Sequence, residues 1–161
     1  MSLQPDFAEQ LAALLTQCVA EACLLEEALE REGASLARRD LDGLHDAIAQ
    51  KRQHVATLEQ ASQAQNALLR SHGYETNAHG METCLRDWDQ EGQLRSVWER
   101  LAEVMQNCRR LNQINGGVVE SSRHRVEQAI QILRGGESPV DVYGPHGRSV
   151  SNGHSRSIAQ A

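Results

Sequence analysis

Chemistry in this chain would have to come from its seven histidines, four cysteines and its carboxylates. A dinuclear metal site in a helical bundle needs Glu-x-x-His on two helices, with a further carboxylate from each of two others. The chain offers Asp42-x-x-His45 once, and Glu120 with His124 once at a spacing of one helical turn. Neither has its complement, so no metal site is expected. Cys18, Cys23, Cys84 and Cys108 form no Cys-x-x-Cys pair and have no histidine at ligand spacing. They read as free thiols, with Cys18 and Cys108 on apolar helical stripes where cysteine behaves as a small hydrophobe. No phosphate-cradling glycine loop, nucleophile elbow or His-Glu-x-x-His run occurs. The expectation is therefore a non-enzyme without cofactors, and the chemistry left is that of apolar stripes that bind other helices.

The elements that must carry such stripes follow from composition. Phe7, Tyr74, Trp88, Trp98 and Tyr143 are the only aromatics, so Leu, Ile, Val and Ala have to fill the interior. That is the make-up of helix seams. Prolines stand only at Pro5, Pro139 and Pro145, which leaves the interval between the first two free of the strongest helix breaker. A formal net charge of -6 without a Lys/Arg cluster argues against nucleic acid and anionic membrane surfaces. No apolar run approaches the roughly 20 residues needed to span a bilayer, and no basic region leads into an apolar leader. A cytoplasmic protein without membrane insertion is the expectation.

The apolar pattern divides the chain. Ala8, Leu11, Leu15, Cys18, Ala22, Leu25 and Leu29 alternate steps of three and four, a first helix with Pro5 and Asp6 in its first turn and Gly33 at its end. Its Glu21, Glu26, Glu27, Glu30 and Glu32 read as a solvated face. A second helix follows through Leu36, Leu41, Leu44, Ile48, Val55 and Leu58 with Asp40 as a possible N-cap, and its Gln- and Ala-rich far half predicts looser packing toward Arg70. Ser71 to Gly80 is the connection between two halves, and Met81 to Asp89 a short helix. A longer helix keeps heptad phase through Leu94, Val97, Leu101, Val104, Cys108 and Leu111 and resumes it at Val119, Val126, Ala129 and Leu133, with Gly135 and Gly136 as the stop. Gly116 and Gly117 inside it predict a kink, a close helix approach or simple tolerance. The expected fold is all-α, an antiparallel bundle of three long amphipathic helices plus one short helix with coiled-coil-like seams. Residues 1–136 would be the helical domain, and 137–161, rich in Gly, Ser, Pro and His, a disordered C-terminal tail.

The stretch Cys-Arg-Arg-Leu-Asn-Gln-Ile-Asn-Gly from Cys108 to Gly116, the two valines and Arg123 after it, Ala129 to Gly135, and Tyr143-Gly-Pro-His-Gly147 together resemble the FlgN family of bacterial flagellar export chaperones. The resemblance implies a cytoplasmic chaperone that binds the hook-filament junction proteins FlgK and FlgL, prevents their premature assembly and delivers them to the export gate. It also implies that the C-terminal amphipathic region engages the cargo and that Tyr143 docks on the cytoplasmic domain of the gate protein FlhA. Where the family usually has an acidic residue between the Tyr and the Gly, this chain has Gly144, Pro145 and His146.

The candidate cargo-binding residues are Val118, Val119, Val126, Ile130 and Leu133, an apolar stripe of the kind that helix-in-groove recognition requires. From periodicity alone the same stripe fits bundle core or the seam of a homo-oligomer. Asn112, Asn115 and Gly116 form the motif beside it. A seam asparagine either fixes register and oligomeric state or touches the client. The alternative to a chaperone is a structural coiled-coil scaffold whose seams serve self-assembly.

Overall fold

The computed structural model describes residues 6–133, with side chains through 131. Helix α1 covers Phe7–Arg38, α2 Leu41–Ser71, α3 Ala78–Trp88 and α4 Gln93–Leu133, and no strand occurs among the described residues. The described residues fall into two units, residues 6–123 and residues 124–133. The expected boundary between residues 136 and 137, the Gly135-Gly136 stop and the disordered tail lie outside the described residues.

The helix ends have local causes. Asp6 is the N-cap of α1 rather than part of its first turn, its carboxylate accepting from the amide of Ala8. Gly33 does not end α1. The helix runs on to Arg38 and stops where Arg39 turns left-handed at φ 56°, so Leu36 belongs to α1 and not to the second helix. Asp40 caps α2 as expected, accepting from Gly43 N at 3.0 Å. Asn77 caps α3 by accepting from Gly80 N at 2.8 Å. Gly80 thus lies inside α3 rather than in the connection before it, and a Cβ there would collide with the backbone of Glu75. Asp89 accepts from the amides of Leu94 and Arg95, which satisfies donors at the start of α4.

Within the first unit the long helices run up, down and up. A two-residue turn at Arg39 and Asp40 folds α2 back on α1, so Phe7 meets His72 with ring centroids 4.1 Å apart, Glu21 meets His54 and Glu32 meets Lys51. Consecutive long helices are therefore antiparallel. α1 and α4 are parallel, because Cys108 Sγ donates to Ala22 O and, two turns on, Asn115 Nδ2 donates to Leu29 O, both at a separation of 86 residues.

Leu11, Leu15, Cys18, Ala22, Leu25 and Leu29 of α1 form the spine of the core, with Ala61 and Leu69 of α2, Met81, Cys84 and Leu85 of α3, and Leu94, Leu101, Val104 and Cys108 of α4 around it. Looser packing toward Arg70 takes the form of a groove of about 460 Å³ beside Leu58, Gln65, Asn66 and Leu69, although this half of α2 is also the more buried one. The far half of α2 buries Ala61, Gln65 and Leu69, whereas its first half buries Ala47 alone. The reason is α3, which closes that end of the bundle and gives the small side chains of α2 something to pack on. Phe7 anchors the same end against Trp88, 4.9 Å away between ring centroids, and the Trp88 indole donates to Tyr74 Oη.

α1 also has an 18-residue window of mean hydropathy 1.2, which meets the length and composition test for a membrane span. Counting uninterrupted apolar runs misses this, because Ala, Cys and Leu on both sides of the seam raise the mean while single polar residues break the run. The seam residues of that helix are buried in the bundle.

Candidate functional site

The described part of α4 has one face in two environments. Leu94, Leu101, Val104, Cys108 and Asn115 follow one another at heptad-compatible steps and are all buried against the first unit's core. Val119 continues the same phase four residues after Asn115, and Val118 continues it a heptad after half-buried Leu111. Yet Val119 is 51% exposed and Val118 42%. The change follows from what α1 offers at each level. Below Asn115 it presents Leu15, Ala22, Leu25 and Leu29; above it come Glu32 and Ser35, buried but polar. Glu32 turns toward α2, where Lys51 Nζ lies 3.1 Å from its Oε2. Half-buried Leu36 is the apolar side chain left in this phase of α1, so the seam has little surface to close on there.

The reading of Val118 and Val119 as bundle core is therefore overturned within the first unit. In the second unit Val126 is 58% exposed and Ile130 41%. The side chain of Leu133 and all of Tyr143 lie outside the described residues. Of the neighbouring motif, Asn112 is exposed and Asn115 is 3% exposed, so the two asparagines have different roles despite their common spacing. Gly116 and Gly117 are helical and face open space, with no atom within 4 Å of an added Cβ, so neither a close helix approach nor a helix break is present at this pair. Ile114, at 51% exposure, is an apolar residue near this face that the heptad pattern does not pick out. Its only sequence signal is that it stands one turn before Val118.

The acidic row of α1 is only partly a solvated face. Glu27 and Glu30 are exposed, but Glu21 Oε2 lies 3.0 Å from His54 Nδ1 and Glu26 accepts from Asn107 Nδ2 at 2.8 Å. Sequence spacing within α1 could not reveal partners on α2 and α4. Among the described residues no cluster of three His, Cys, Asp or Glu side chains is placed to hold a metal ion. Glu120 is paired instead with Arg123, 2.8 Å away. The four cysteines are free, and Cys18, Cys84 and Cys108 are buried. Desolvation, helped by the charge of Asp87, pushes Cys84 up to about 11, and desolvation with the charges of Glu26 and Cys23 does the same to Cys108. Protonated thiols in such places are packing groups.

A second feature is the groove of about 460 Å³ beside the far half of α2, where Leu58, Gln65 and Asn66 of α2 meet Met81 of α3 and Trp98, Leu101 and Met105 of α4.

The family model of the FlgN protein matches residues 1–151. The chain belongs to the FlgN family. That membership ties it to flagellar assembly. No curated relative matches it. Among solved structures, a flagella synthesis protein FlgN from Pseudomonas aeruginosa is similar with a TM-score of 0.65 and 24% identity, over 74% of this chain and 92% of that one. At that identity the likeness carries the fold, and it bears out the all-α architecture.

Proposed function

We propose that this FlgN-family chain is a cytoplasmic export chaperone for the hook-filament junction proteins FlgK and FlgL. In this reading Val118 and Val119 supply an apolar helix face for the cargo's helical terminal segment, and Val126 and Ile130, in the second unit, are further candidates for cargo contact in their own right. The observation that carries the reading is the loss of the seam's partner at Asn115: the same phase that is buried below it is exposed at Val118 and Val119. An apolar helical face of this kind is what helix-in-groove recognition uses. A chaperone of this type masks an assembly-competent helix by offering the contact that assembly would otherwise provide. Delivery would follow by docking of Tyr143 on the cytoplasmic domain of FlhA, an assignment resting on family resemblance alone.

The test is to mix the purified chain with the C-terminal segment of a junction protein and to follow complex formation by size and by calorimetry. A defined heterocomplex is expected. The exposed valines equally fit a self-assembling scaffold, and that reading gains if the chain forms concentration-dependent homo-oligomers and ignores the segment.

A further inference from the structure

Asn115 is a buried polar side chain in an apolar seam, and it sits in a notch on α1. Its amide donates to Leu29 O of α1 at 2.9 Å. Room for its other end exists because the next turn of α1 carries Gly33, where a Cβ would stand 2.8 Å from Asn115 Oδ1. This explains why Gly33 lies inside α1 rather than at its end. A slide of α4 by one turn, roughly 5.4 Å, toward the N-terminal end of α1 would take the amide from this notch to the level of buried Leu25 and Leu29. An unsatisfied buried amide opposes that slide, whereas an apolar residue would not oppose it.

We propose that Asn115 is a positioning residue: with Gly33 it pins α4 to α1 in a single register and so fixes the point, just before Val118, where the intramolecular seam stops and the cargo-accepting face begins. This inference rests on the chaperone reading above. A leucine at 115 would make the seam continuous, let α4 shift along α1 and draw Val118 and Val119 onto the bundle.

The experiment uses the full chain with Asn115→Leu, and with Gly33→Ala as a second variant that disturbs the notch from the α1 side. Two readouts are taken: the spacing of α1–α4 contacts by NMR, and affinity for the C-terminal segment of a junction protein. Asn115→Leu is expected to melt at or above the wild-type temperature, to populate contacts shifted by roughly one turn, and to bind the segment about tenfold more weakly. A merely structural role would change the melting temperature and leave both readouts alone. Wild-type spacing with affinity within about twofold overturns the proposal, as does either change without the other. Should Asn115→Leu not fold, Gly33→Ala is judged by the same two readouts. If the wild-type chain itself ignores the segment, the chaperone reading falls, while the contact spacing still decides whether Asn115 holds the register.

Discussion

Val119→Asp separates a binding face from a folding face. Val119 is half in water already. Full burial of a valine is worth about 1.5–2 kcal/mol, so losing the buried half costs the fold about 1 kcal/mol at most. That is small against a typical stability of about 5–15 kcal/mol. In a complex the same position would be covered, and an aspartate would have to be desolvated against an apolar client at a cost of several kcal/mol. A loss of about 3 kcal/mol is a weakening of roughly 100-fold or more, enough to abolish a micromolar complex. The matched control is Val104→Asp, at 2% exposure on the same face of α4, where the carboxylate would be driven into the core and unfolding is expected. Helicity and melting temperature by circular dichroism establish folding, and calorimetry against the junction-protein segment reads binding. A folded Val119→Asp that binds the segment within about twofold of wild type would refute the assignment of this face to cargo.

Three further outcomes are expected. Because Gly116 and Gly117 are helical and face open space, Gly116→Ala and Gly117→Ala should each stabilise the helix by about 1 kcal/mol, read in denaturant unfolding; a loss of stability would mean that the pair has a packing role. Cys84 and Cys108 titrate near 11 in the folded chain against an ordinary 9.0, so the folded state binds more protons between those values. Stability is then fully retained below pH 9 and falls as pH rises toward 11, and flat unfolding midpoints across that window would contradict the burial of these thiols. Tyr143→Ala should leave cargo binding intact and weaken docking of the loaded chaperone on the isolated cytoplasmic domain of FlhA; equal affinities in a titration would remove Tyr143 from delivery.

Much of the fold was legible because its signals are local. Leu11, Leu15, Cys18, Ala22, Leu25 and Leu29 announce a buried stripe by spacing alone, and Asp40 is a usable cap wherever the chain places it. Gly33 misleads for the same reason: a glycine after an apolar series normally marks a helix end, and only the approach of Asn115 from a residue 82 positions later shows why it is there. Glu21, Glu26 and Glu32 likewise look solvated until α2 and α4 bring His54, Asn107 and Lys51 to them.

The sequence by itself determined the helices, their apolar stripes and the absence of recognisable catalytic motifs, since these depend on residue type and on a period of 3.6. Only the tertiary structure decided which part of a stripe is interior. Leu101, Val104 and Cys108 carry the same pattern as Val118 and Val119, and nothing in periodicity tells them apart. The difference lies on another helix, where the buried leucines of α1 give way to Glu32, Gly33 and Ser35 at the level of Asn115, with half-buried Leu36 beyond them. Burial belongs to the pair of surfaces that meet, and a single sequence stripe specifies only one of them.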